Sequence, residues 1–351
     1  MMKLFSWLPL WALGLILSAC SLEEGQLRPA PFPPVKALDL SERLPEPPAL
    51  LFKGIRTPTE TEILFSFSAP VELLSLNLWE GEYPLSYGGL RGFPDDQGGY
   101  TLRAELSSVP GPALSLRAEL RVEDQHGQVL ELAQDFMSRN PRPPALLINE
   151  LRTEYSSPRS EYIEFKILEG GNLGALRVFA ASNDEGKLIY QFQPVEVKAG
   201  DYVVLHLRTL EASARSEYGD NLAESGQRDA SPHARDIYIP GSAKLLRKTD
   251  AVYVLDQDDG VLTALMLSEQ GGPWWTSNQL SDAAVFLYKA GAWMSPHGGL
   301  GGPDHAVNTA DIRTSITRSV SRHEGRAHTG THLDWYLTGS GNLSPGGPNL
   351  P

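Results

Sequence analysis

Leu114, Leu116, Ala118, Leu120 and Val122 alternate strictly with Ser115, Arg117, Glu119 and Arg121. A strand turns successive side chains to opposite faces, so this run has one apolar and one polar face. On a helix the same residues would be scattered around the whole circumference. Ile63, Phe65 and Phe67 repeat the alternation upstream. Asp124-Gln-His-Gly127 then separates the long run from Val129-Leu-Glu-Leu132 and reads as a hairpin turn. Further turn signals recur at the spacing of a β-sandwich. The chain is therefore expected to be all-β, with two sandwich domains in tandem.

Composition narrows the function classes. The 351 residues contain 33 glycines and 27 prolines, which favours turns and extended connections over long helices. The formal net charge of −13, with no basic block, is a poor basis for gripping nucleic-acid phosphates. The single cysteine excludes an internal disulfide framework, a thiolate zinc site and an iron–sulfur cluster.

The first residues read as a targeting segment. Lys3 precedes an apolar run, Leu4 to Leu17, interrupted only by Ser6. That run is shorter than the roughly 20 residues a membrane-spanning helix needs, and fits the core of a signal peptide. Leu17-Ser18-Ala19-Cys20 resembles the lipobox of bacterial lipoproteins. The resemblance implies cleavage between Ala19 and Cys20 and acylation of Cys20, the cysteine standing where that chemistry requires it. Several acyl chains make a stable anchor where one is marginal. Residues 20–48 contain seven prolines and read as an extended tether.

Residues 49–137 form the expected first sandwich. Phe67-Ser-Ala-Pro-Val71 and Val122-Glu-Asp-Gln-His-Gly127 resemble bacterial Ig-like modules of cell-surface proteins. Ser138-Arg-Asn-Pro-Arg-Pro-Pro144 reads as a linker, and residues 145–351 as the second domain. There Ile148-Asn-Glu150, Tyr162-Ile-Glu164, Leu173-Gly-Ala-Leu176, Gly200-Asp-Tyr-Val-Val204, Asp250-Ala-Val252 with Asp258-Asp-Gly260, and Asp334-Trp335 with Ser344-Pro-Gly346 to Asn349 follow in order. This order resembles the lamin tail domain, an Ig-like β-sandwich. The resemblance implies an interaction module without catalytic residues. Two insertions depart from it, at about 211–244 and 268–313. In the second, Leu280, Ala283, Ala284 and Leu287 recur at helical spacing, which predicts a short helix over 281–290 capped at Gly291.

Each candidate for chemistry has a plainer reading. His297, His305, His323, His328 and His332 are read as solvated loop residues, since glycines and threonines disfavour a helix that would align His328 with His332. Asp256-Gln-Asp-Asp-Gly260 has calcium-type oxygens but lacks the later glutamate of an EF-hand loop, so a hairpin turn is expected. Glu150, Glu161 and Glu164 are expected on a solvated or ion-paired strand face rather than as an acid–base pair. Arg313, Arg318, Arg322 and Arg326 are read as protection of a strand edge. No nucleophile elbow, Ser-x-x-Lys motif, phosphate loop or dinucleotide fingerprint occurs. Trp335 is expected in the core, with Asp334 outward or capping a backbone group.

The remaining signal is aromatic. Trp79, Tyr83, Tyr87, Phe93 and Tyr100 are read as loop aromatics, and Trp274-Trp275 opens the second insertion. The expected function is non-catalytic: a lipid-anchored envelope protein, without cofactor or metal, acting in adhesion, scaffolding or partner binding. Trp274 and Trp275 are the candidate partner-binding residues. The expected partners are the membrane, through the N-terminal lipid, and an envelope protein or glycan. The alternatives are a carbohydrate-binding module, or an accessory or remnant part of a secreted nuclease or phosphoesterase system.

Overall fold

The alternation read in the sequence becomes a sandwich core. A computed structural model of the chain describes residues 48–95, 98–182 and 188–350. The expected leader and tether, with Ala19 and Cys20, lie outside the described residues. Eight strands build the N-terminal sandwich: β1 (Phe52–Arg56), β2 (Glu62–Phe67), β3 (Val71–Glu80), β4 (Tyr83–Leu85), β5 (Tyr87–Pro94), β6 (Tyr100–Leu106), β7 (Ser115–Asp124) and β8 (Val129–Met137). They form two antiparallel sheets, ordered β1-β2-β6-β5 and β4-β3-β7-β8. Ile63, Phe65, Phe67, Leu102 and Ala104 from the first sheet share a core with Leu76, Leu78, Leu116, Ala118, Leu120 and Val122 from the second. Full burial of each large side chain contributes about 1.5–3 kcal/mol. The Asp124–Gly127 hairpin turn forms as expected, Gly127 taking a positive φ of 76°.

The stretch from Trp79 to Phe93 differs from expectation. It is not an aromatic loop but β3, β4 and β5, paired to β7 and β6. Cross-strand pairing outweighs the weak strand preference of its glycines and Pro84.

Thirteen further strands follow: β9 (Ala145–Arg152), β10 (Tyr162–Glu169), β11 (Gly171–Asn172), β12 (Arg177–Ala180), β13 (Leu188–Gln191), β14 (Glu196–Val197), β15 (Tyr202–His206), β16 (Arg235–Tyr238), β17 (Asp250–Leu255), β18 (Val261–Ser268), β19 (Val307–Asn308), β20 (Val320–Arg322) and β21 (Trp335–Leu337). A six-stranded sheet, β16-β15-β10-β9-β20-β21, faces a five-stranded sheet, β13-β12-β17-β18-β19, and β11 pairs with β14. Ile148, Ile163, Phe165, Val203 and Leu205 meet Val178, Val252, Val254 and Leu265 in the core, which Trp335 joins as expected. The one α-helix among the described residues, α1 (Asn278–Lys289), begins three residues before the predicted start. Its buried residues are Leu280, Ala283, Ala284 and Leu287, and Gly291 beyond it has φ of 69°. The helix covers β17 and β18, with the rings of Tyr253 and Phe286 5.8 Å apart. That cover explains why β18 is apolar on both faces.

Residues 138–144 join two separate apolar cores, yet residues 49–351 form one compact unit. Asn140 Nδ2 donates to the carbonyls of Asn172 and Gly174 at 2.7 and 2.9 Å. Gln257 accepts from the Asn140 amide and donates to the Ser138 carbonyl, at 2.7 and 2.8 Å. Arg139 makes a two-pronged ion pair with Asp258 at 2.7 and 2.6 Å, which holds the Asp258 carboxyl below its ordinary value. This connection is a pinned strut.

Candidate functional site

The six-stranded sheet has two different faces, because β9, β10, β15 and β16 carry polar residues opposite their core residues. Glu150, Arg152, Tyr162, Glu164, His206 and Asp236 all lie on this second face. The expectation of a solvated or ion-paired face is corrected here for Glu150 and Glu164, both fully buried and held by hydrogen bonds, whereas Glu161 is buried in an ion pair with Arg208. The cover comes from elsewhere in the chain. The Ser344 amide and hydroxyl both donate to Glu150 Oε2 at 3.2 Å, and Ser319 donates to Glu150 Oε1. The Gly346 amide donates to Glu164 at 2.6 Å, and Asn149 Nδ2 donates to the same carboxylate at 2.8 Å. The Asn349 amide donates to Glu324 at 2.9 Å, while its side chain reaches the Asn149 and Arg322 carbonyls. Residues 344–349 are thus a strap tied down by three glutamates.

Insertion 211–244 is the second cover. Asp229 accepts from the buried guanidinium of Arg152 and from Arg159. Arg208 and Glu161 form a buried pair through two hydrogen bonds, 2.5 and 2.7 Å long. His206 meets Asp236 at 2.7 Å and stacks on Tyr238 with ring centres 4.3 Å apart. Asp236 also accepts from the Ser231 amide, and Glu217 accepts from the Asp236 amide, both at 2.8 Å. A charge removed from water needs such partners, since an unmet buried charge costs several kcal/mol.

The electrostatics follow from this burial. Burial pushes the Glu150 carboxyl above its ordinary value, and Glu164 well above, the charge of Glu150 adding to the second effect. Burial acts the same way on Glu324, but hydrogen bonds from Lys166 and the Asn349 amide outweigh it and leave that carboxyl below its ordinary value. His206 and Asp236 have the separation of a general-base pair, but both are sealed from solvent.

The other candidates are distributed differently. Asp256 accepts from the amides of Asp258 and Gly260 at 2.8 Å, making the expected hairpin turn, while Asp258 and Asp259 pair with Arg139 and Arg177. Of the arginines 313, 318, 322 and 326, Arg322 does not protect an edge: it is buried on β20, between β9 and β21. Asp334 is buried and caps a loop, accepting from the Thr329 and Gly330 amides at 2.9 and 3.0 Å. Among the described residues no three His, Cys, Asp or Glu side chains converge as metal ligands. No helix among them is long and apolar enough to cross a membrane.

The two predicted tryptophans diverge at a bend in the chain. Trp275 packs half-buried against the core, its Nε1 donating to the Gly301 carbonyl at 3.3 Å. Trp274 is 82% exposed. Its loop is fixed by reciprocal hydrogen bonds between Gly272 and Asp304, at 2.6 and 3.1 Å. Met294 donates to the Gly330 carbonyl at 2.9 Å, tying in a third segment. Each of the three loops carries a large exposed apolar residue: Trp274, Leu300 at 51% and Leu333 at 58%. Residues 270–280, 290–303 and 327–333 contain no Asp, Glu, Lys or Arg. His332 lies in the last of these segments and His305 two residues beyond the second, with ring centres 6.5 Å apart, and partial burial lowers the His332 pKa, His305 acting in the same direction.

Comparison with known proteins gives a family and a relative. A Treponema pallidum (strain Nichols) protein described as "Uncharacterized protein" is 26% identical over 188 residues, covering 50% of this chain and 46% of the relative, so the chain spans less than half of that relative's length. The N-terminal part of the bacterial S-layer protein SbsC aligns at 12% identity and a TM-score of 0.25, over 45% of this chain and 43% of that one. BcpA, the major pilin subunit of Bacillus cereus, aligns at 9% identity and a TM-score of 0.12, over 55% of this chain and 69% of that one. Neither structural likeness is close enough to carry an argument. The family described as "TP_1001_2nd: protein second domain" matches residues 144–337, more than half of the 351 residues, and the chain belongs to that family.

Proposed function

We propose that this chain is a lipid-anchored envelope protein that binds a partner through the loop end around Trp274, without catalysing a reaction. One observation carries the reading: an indole 82% exposed on a loop held by hydrogen bonds, within segments free of charged side chains. Exposed aromatic residues on a fixed base are the usual anchors of a binding surface, because little side-chain freedom is lost on contact. The lipobox-like Leu17-Ser18-Ala19-Cys20 supports the anchor and the envelope location. The meeting of Glu150, Glu164, Gly346 and Asn349 on one face supports the lamin-tail resemblance, since three of its motifs contribute to that face.

The test uses the unit from Ala49 onward, sedimented with isolated envelopes of the producing cells. Trp274→Ala is expected to lower the bound fraction several-fold while leaving the melting temperature unchanged. Equal binding by the variant overturns the assignment. Fatty-acid labelling tests the anchor separately: Cys20→Ser is expected to lose all label, and equal label on both proteins rejects it. The same flat indole also suits a sugar ring. Competition by purified envelope glycan identifies that ligand class.

A further inference from the structure

The two long edges of the N-terminal sandwich treat their charges in opposite ways. On β7 and β8, Arg117 lies opposite Asp135 and Arg121 opposite Glu131. Each of these arginines thus faces an acid in register, and Arg117 lies 3.7 Å from Asp135. On β5 and β6, Arg91 lies opposite Arg103. Like charges placed directly opposite across two strands repel. Glu62 neutralises Arg103, whereas Arg91 is exposed and pairs with no carboxylate among the described residues.

The glycines of β5 point the same way. A Cβ built on Gly89 would meet nothing within 4 Å, and one on Gly88 only Ser107 Oγ at 3.9 Å. Neither adopts the left-handed backbone that requires glycine. Glycine weakens a strand, so two of them where side chains would fit leave the backbone bare without benefit to this fold alone. They open onto a trough of about 420 Å³ lined also by Arg91, Arg103 and Glu105. The strand is the last in its sheet, and among the described residues no strand pairs with its other side. Its polar groups on that side form a template about 26 Å long at roughly 3.3 Å per residue.

We propose that β5 is a docking edge for one extended strand of a partner protein. Main-chain hydrogen bonds to β5 supply the attachment. Gly89, Arg91 and Phe93 share the outward face, since Leu90 packs into the core between them. The incoming strand therefore places an acidic side chain beside Arg91, a large apolar side chain over Gly88–Gly89, and a second apolar one against Phe93, which is 41% exposed. A second copy of this chain is the wrong occupant. Antiparallel self-pairing in the register centred on Arg91 sets Arg91 against Arg91 beside two copies of Arg103, so one charge both disfavours that pairing and selects an acidic partner.

The probe is a seven-residue peptide alternating threonine with leucine, glutamate and valine, capped at both ends, with a lysine version as control. Hydrogen–deuterium exchange over residues 87–94 of the whole protein reads edge occupancy. The glutamate peptide is expected to slow exchange there and to bind about threefold to tenfold more tightly than the lysine peptide. Arg91→Glu is expected to invert that order, and Arg91→Gln to erase it. Arg91 is exposed and pairs with no carboxylate among the described residues, so both variants keep the fold, checked by near-ultraviolet circular dichroism. Three results overturn the proposal: no protection by either peptide, an order of affinity unchanged in Arg91→Glu, or protection that appears with protein concentration alone, which makes a second copy the occupant.

Discussion

Glu164 accepts the amide of Gly346 at 2.6 Å across a sequence separation of 182 residues. This bond, with the Glu150–Ser344 contacts beside it, closes the polar face of the C-terminal sandwich.

The closure has a pH signature. Glu164 has a higher pKa folded than unfolded, because burial and Glu150 both disfavour its charged form. The folded state then holds the proton more tightly, so the stabilisation is complete below the unfolded pKa and is lost as pH rises through the folded value. Denaturant titrations should show stability falling from mildly acidic to neutral pH. In Glu164→Gln the fall should be shallower, because a neutral amide does not titrate. His332 shifts downward and favours the opposite trend, so the comparison with wild type isolates the glutamate. Equal slopes in both proteins would show that Glu164 stays charged throughout.

Gly346 is fixed by shape as well as by its amide. Its φ is 82°, and a Cβ there would lie 2.3 Å from Ser231 Cβ. Gly346→Ala should cost about 2–4 kcal/mol through backbone strain and overpacking. Gly347→Ala, whose Cβ would meet nothing closer than 3.8 Å, should be nearly neutral. Thermal melts of both variants make the comparison.

Trp335 and Trp274 should respond oppositely to truncation. Trp335→Ala removes a buried core side chain and should cost about 3–5 kcal/mol. Trp274→Ala should stay within about 0.5 kcal/mol of wild type. Chemical denaturation monitored by circular dichroism measures both.

Trypsin should spare the bond after Arg139 in the native protein, although the sequence there reads as an open linker. Asn140→Ala leaves the Asn172 and Gly174 carbonyls without their donor, costs about 1–3 kcal/mol, and should make that bond the first one cut. Limited proteolysis with mass spectrometry locates the cut.

The legible parts of the fold are those set by local periodicity. Leu116 to Val122 showed their buried face through spacing alone, and Leu280, Ala283, Ala284 and Leu287 theirs at the helical period. Glu150 and Glu164 were misread for a definite reason. Alternation assigns polar residues to water, and that inference fails when a distant segment supplies the cover. The ties from Ser344 and Gly346 are too remote in sequence for any local pattern to contain them. Trp274 and Trp275 were indistinguishable for a similar reason: the Gly301 carbonyl that receives Trp275 lies in another loop. The Gly-Gly pair of β5 resembles a loop until β6 is set beside it.

The strap also sets an order in time. Glu150–Ser344, Glu164–Gly346 and Asn149–Asn349 close loops of 194, 182 and 200 residues. Each closure loses chain entropy before any contact offsets it, and folding slows as contacts become less local. Hairpins such as β7–β8 and β17–β18 should form early, while the carboxylates of β9 and β10 remain hydrated. The polar face should be the last part of the molecule to dry. In stopped-flow refolding, burial of Trp335 should precede exchange protection of the Gly346 amide, so a brief interval exists in which the apolar core is complete and the outer sheet face is still wet.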